Sequence, residues 1–102
     1  MANTCSNTLR VYSENPKNLE YVKSYFKEWG NTDIEDFSTD GGNLEIYFDS
    51  KWCFPDKEMK EFVDGLPDKN DISMTCLSVE WGCLYCAFYT FEEGDDDWVY
   101  CD

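Results

Sequence analysis

Residues 15–30 read Asn-Pro-Lys-Asn-Leu-Glu-Tyr-Val-Lys-Ser-Tyr-Phe-Lys-Glu-Trp-Gly, and this stretch places a helix early in the chain. Asn15 has the short acceptor side chain of an N-cap, and Pro16 suits the first helical position, where no N–H is needed. Leu19, Val22, Phe26 and Trp29 recur at steps of three and four, a single apolar stripe. Gly30 supplies the left-handed stop. Just upstream, residues 4–12 alternate: Cys5, Asn7, Leu9 and Val11 share one face, and Thr8, Arg10 and Tyr12 share the other. A period of two that gives way to a helical period is a strand followed by a helix.

The same reading continues downstream. Residues 33–38 hold Ile34 and Phe37 among acids, a short strand, and Asp40-Gly41-Gly42-Asn43 is a turn. In residues 44–49, Leu44, Ile46 and Phe48 alternate with Glu45, Tyr47 and Asp49. Pro55 opens a second helix, with Asp56 and Glu58 at the positive end of its dipole. Met59, Phe62, Val63 and Leu66 form its stripe, and Gly65 and Pro67 end it. Strands follow over 72–80 and 84–91, the latter apolar on both faces. Residues 92–97 read as an acidic hairpin tip, and 98–101 as a closing strand.

The order β-α-β-β-α-β-β-β begins with the six elements of a split βαβ, ferredoxin-like arrangement. The expectation is one α+β domain over residues 1–102. It has an antiparallel sheet, two helices on one face and an extra C-terminal β-hairpin. Leu19, Val22, Phe26, Trp29, Leu44, Ile46, Phe48, Met59, Phe62 and Leu66 are its expected core.

Charge is the strongest compositional signal. Twenty-two acids face eight bases, a net charge of −14 over 102 residues. Residues 31–50 hold six acids and no base, and residues 71–102 hold eight acids and no base. Every base is therefore expected on the helices and their flanks. Such a field repels nucleic acid and anionic membrane and attracts basic surfaces. Acidity with few aromatics signals disorder, but seven Phe, seven Tyr and four Trp argue for a folded core. No apolar run approaches the roughly 20 residues of a membrane span. Residues 1–15 lack the basic-then-apolar order of a signal peptide, so the expectation is a cytoplasmic chain with reduced thiols.

Three passages resemble the YubB ferredoxin-like family of plasmid, phage and bacterial proteins. They are the opening Met-Ala-Asn-Thr-Cys-Ser-Asn-Thr-Leu-Arg-Val, then Phe48-Asp49-Ser50-Lys51-Trp52-Cys53-Phe54-Pro55, and then Leu77-Ser78-Val79-Glu80-Trp81-Gly82-Cys83-Leu84-Tyr85-Cys86-Ala87. The resemblance implies the ferredoxin-like fold and a mobile-element context, and no catalytic residues. The chain departs from the family at Trp81, where Pro is usual, and at Cys86 and Ala87, where Ala and Gly are usual. Residues 31–43 have no counterpart.

The chain has no histidine, which excludes Ser-His-Asp and Cys-His catalysis. Cys83-Leu-Tyr-Cys86 has CxxC spacing, with Cys76 and Cys101 as further possible thiolates for zinc. A knuckle needs a tight turn, however, and Cys86 reads as a packed residue within a strand. Glu92, Glu93, Asp95, Asp96 and Asp97 could take a divalent cation, or form a solvated tip that protects a sheet edge. Glu45, Tyr47 and Asp49 point outward together, and Tyr12 can join them.

Two function classes follow. The first is a non-enzymatic module needing no cofactor or metal. Its partner-binding residues are Glu45, Tyr47, Asp49, Glu92, Glu93, Asp95, Asp96 and Asp97. They would meet a basic protein, such as the DNA- or RNA-binding site of a host or defence protein, by imitating nucleic acid. The second is a small metal-binding or enzymatic domain using Cys83 and Cys86 or the tip 92–97. No direct contact with nucleic acid or membrane is expected, and the oligomeric state is left open.

Overall fold

The computed structural model describes residues 4–37, 42–51, 53–82 and 85–101. Their order is β1 (Thr4–Tyr12), α1 (Pro16–Trp29), β2 (Asp33–Phe37), β3 (Asn43–Lys51), α2 (Asp56–Asp64), β4 (Ser73–Glu80), β5 (Tyr85–Phe91) and β6 (Val99–Cys101). The fold is α+β. The strands form one six-stranded sheet in the order β2-β3-β1-β4-β5-β6, and every neighbouring pair is antiparallel.

Local chemistry explains the elements. The Asn15 side chain accepts a hydrogen bond from the Lys17 backbone N–H at 2.9 Å, which caps α1 ahead of Pro16. Gly30 follows α1 with φ +87°, and the Thr32 hydroxyl donates to the Phe26 carbonyl at 2.9 Å. Asp56 and Glu58 occupy the first turn of α2. At Gly65 the requirement is space: a Cβ there would collide with the Tyr21 hydroxyl, which itself donates to the Phe62 carbonyl at 2.6 Å.

The register sets which face is buried. Leu9 pairs with Ile46 on one side and Cys76 on the other, and Val11 pairs with Leu44 and Met74. All six are buried, so these residues line one face. Both helices bury their stripes there, with Phe26 and Phe48 rings 4.8 Å apart and the Tyr21 and Phe62 rings stacked at 5.7 Å. Each fully buried Phe or Leu contributes about 1.5–3 kcal/mol. Nine of the ten expected core residues are buried. Trp29 is the exception: its ring packs against Phe48 at 5.0 Å, but it is only partly buried, and its Nε1 donates to the Asp49 carbonyl. An indole keeps its polar edge near the rim when a carbonyl waits there.

A polar seam continues the buried face beyond the apolar core. Asn7 and Ser78 are buried, and the Ser78 hydroxyl donates to Asn7 Oδ1 at 2.6 Å. Asn7 Nδ2 donates to the Ser50 hydroxyl at 2.9 Å and to the Phe48 carbonyl at 3.3 Å. Asn18 forms a second knot, donating to the Asp68 and Asp71 carbonyls and accepting from the Asp68 N–H. It ties the start of α1 to the loop before β4.

Candidate functional site

Among the described residues nothing covers the sheet face opposite the helices, and the register writes its composition in rows. One row runs Asp33, Tyr47, Thr8, Leu77, Phe88 and Cys101 across the six strands. The next runs Glu35, Glu45, Arg10, Thr75, Thr90 and Val99. The β2–β3 side is thus acidic and the β4–β5–β6 side apolar. Asp49 extends the acidic side along β3. Tyr12 and Phe37 lie on the same face, 43% and 45% exposed.

Arg10 stands on this face as well, on β1, which corrects the expectation that every base lies on or beside the helices; Lys51, at the end of β3, lines a hollow with Trp29, Pro55 and Glu58 beside both helices. A strand that alternates faces can carry a cation outward without burying it. Arg10 pairs with Glu45 across the strands, Nε to Oε2 at 3.8 Å. The Tyr47 hydroxyl donates to Glu45, and that hydrogen bond holds the phenol above its ordinary pKa. Tyr12 donates to Glu14 at 3.2 Å and is raised for the same reason. Both tyrosines are protonated at neutral pH, ready to present ring and hydroxyl. A depression of about 300 Å³ lies over β1, lined by Thr8, Arg10, Glu45, Tyr47, Thr75, Leu77 and Phe88.

The expected partner residues fall into two groups. Glu45, Tyr47 and Asp49 are together on the open face. Glu92 reaches its rim, where it lines a second hollow with Tyr12 and Glu45. Residues 95–97 turn the other way. The Gly94 N–H donates to the Lys69 carbonyl at 2.9 Å, Lys60 donates to the Asp96 carbonyl at 2.9 Å, and Trp98 Nε1 donates to the Met59 carbonyl at 3.1 Å. The tip is folded back toward α2 rather than standing clear as a hairpin. Glu93, Asp96 and Asp97 are exposed and Asp95 partly so; Asp95 accepts from the Glu92 N–H at 2.9 Å.

Sequence reasoning missed Asp33 and Glu35, whose spacing of two within β2 was the available signal. It also missed Leu77 and Phe88 as exposed residues. A strand apolar on both faces, as 84–91 reads, was the clue that one apolar face is left outside.

The cysteines are free thiols among the described residues: Cys5 and Cys76 buried, Cys53, Cys86 and Cys101 exposed. Cys86 lies in β5 as expected, but it faces outward instead of packing, because Ala87 takes the inward position opposite Ser78. Burial raises the Cys5 thiol and pushes Cys76 up to about 12. Cys83 and Trp52 lie outside the described residues, as do Asp40 and Gly41 of the expected turn at 40–43. Among the described residues no three Cys, Asp or Glu side chains are grouped to hold a metal ion. No helix among them is long and apolar enough to cross a membrane. The chain matches no known protein-family model, no curated protein and no solved structure.

Proposed function

We propose that this chain is a non-enzymatic acidic interaction module built on a ferredoxin-like, split βαβ sheet, with β5 and β6 as its C-terminal addition. Its open face meets a basic surface of a protein partner. The observation that carries this reading is the pair of cross-strand rows, which gather Asp33, Glu35, Glu45 and Tyr47 on one uncovered face. A rigid sheet fixes carboxylates at strand spacing of about 4.8 Å, so they act together on a cation-rich surface.

A partner that ordinarily binds DNA or RNA reads closely spaced negative charge through Lys and Arg. Carboxylates held in rows supply such charge without a nucleic acid. The resemblance to the YubB family adds a mobile-element setting, in which blocking a host or defence protein in the cytoplasm is a coherent role. That link is one of analogy.

The test is capture of partners from host lysate at low salt, elution with a salt gradient, and competition with duplex DNA and with RNA. The expected result is a basic protein that elutes early in the gradient and is displaced by nucleic acid. A partner held through high salt and indifferent to nucleic acid would overturn mimicry.

A further inference from the structure

Resting on the acidic-module reading, we infer that the partner element seated on the open face is a basic amphipathic helix lying along the groove over β1. Three observations carry this. First, β1 and its neighbours are hydrogen-bonded on both sides, so the middle of the face offers an occupant no backbone N–H or C=O. A segment docking there must satisfy its own backbone, as a helix does and an extended peptide does not.

Second, the dimensions match. Tyr47 on β3 and Leu77 on β4 flank Thr8 on β1. Two strand spacings separate those walls by about 10 Å, and a helix with its side chains is about 10–12 Å across. The floor between them is the small Thr8 side chain on β1, and Arg10, next on that face of β1, is drawn toward Glu45 at 3.8 Å.

Third, the two walls differ in chemistry. One is acidic, with Glu45 backed by Glu35 and Asp33. The other is apolar, with Leu77, Phe88 and Val99 left 40%, 39% and 51% exposed. Single exposed apolar residues are ordinary, but a run of them on adjoining strands beside a groove marks a contact surface. A helix with Leu or Ile along one edge and Lys or Arg along the other satisfies both walls at once. A second copy of this chain does not, since it brings another net charge of −14 to the same surface.

The probe is a synthetic amphipathic helix of Leu and Lys, about 18 residues or five turns long, with a scrambled peptide of identical composition as control. The expected result is that the amphipathic peptide binds about tenfold more tightly than the scrambled one, since only it fills the apolar wall. The double variant Leu77→Ser, Phe88→Ser should remove that difference while leaving thermal melting unchanged. Equal, salt-sensitive binding of both peptides would overturn the helix while sparing the acidic module. Failure of both peptides to bind at low salt would overturn both readings. Dimerisation of the protein alone, abolished by the same double variant, would assign the groove to a second copy instead.

Discussion

Replacing Phe26 with Ala removes the ring that joins α1 to both the sheet and α2. Phe26 is fully buried, 4.8 Å from the Phe48 ring on β3 and 5.2 Å from the Phe62 ring on α2. The loss has two parts. The ring's apolar area, at roughly 25 cal/mol per Å², accounts for about 2–3 kcal/mol. The cavity left between two elements that cannot collapse together raises the total to about 3–5 kcal/mol. A domain of this size is stable by about 5–15 kcal/mol, so the variant should remain folded but melt about 15–30 °C lower. Urea denaturation followed by Trp fluorescence measures the change directly. Phe37→Ala is the matched control: that ring is 45% exposed on the open face and its loss should stay within about 0.5 kcal/mol. A loss under about 1 kcal/mol for Phe26→Ala, or equal losses for the two variants, would refute the assignment of the core.

The other predictions concern polar and titrating groups. Ser78→Ala leaves the buried Asn7 Oδ1 with only the weak Cys5 thiol donor at 3.8 Å and should cost about 1–3 kcal/mol in the same denaturation assay, with no effect meaning that the seam is open to water. Gly65→Ala should destabilise by about 1–3 kcal/mol through its collision with the Tyr21 hydroxyl. Tyr21→Phe in the same chain should recover part of that loss, and no recovery would place the strain elsewhere. Burial raises Cys5, Cys76, Tyr21, Tyr25 and Tyr89, so folding favours their neutral forms. Their contribution is complete below the ordinary thiol pKa of about 8.5 and is lost as pH rises toward the folded values, about 12 for Cys76. Thermal melts should hold level from pH 7 to about 8.5 and then fall; a level profile through pH 11 would contradict the buried placements. Iodoacetamide at neutral pH should label Cys53, Cys86 and Cys101 and spare Cys5 and Cys76, and elemental analysis should find no stoichiometric zinc.

The helices and the alternation of β1, β3 and β4 were legible because each rests on neighbours within a few residues. Asn15, Pro16 and the Leu19–Phe26 stripe declare α1 by themselves. Pairing is different. Alternation put Asn7 on the core face with Leu9 and Val11, but its acceptor partnership with Ser78 spans 71 positions and follows only from the sheet order. The same holds for the site. The outward direction of Glu45, Tyr47 and Asp49 is local information, whereas the row that adds Asp33 on one side and Leu77 and Phe88 on the other needs register. The acidic tip reads as a free hairpin from composition. It folds back because Lys60 and the Lys69 and Met59 carbonyls, distant in sequence, meet its backbone and Trp98.

The central claim is that charge on the open face drives partner association. The measurement that tests it is the association rate with the captured basic partner as a function of ionic strength. It is made for the unmodified chain and for the Glu45→Gln, Asp49→Asn variant. Screening shortens from about 10 Å at 0.1 M salt to about 3 Å at 1 M. The rate should therefore fall steeply with salt for the unmodified chain. For the variant it should begin lower and fall less, with melting temperatures equal. Rates that ignore both salt and substitution would contradict the claim.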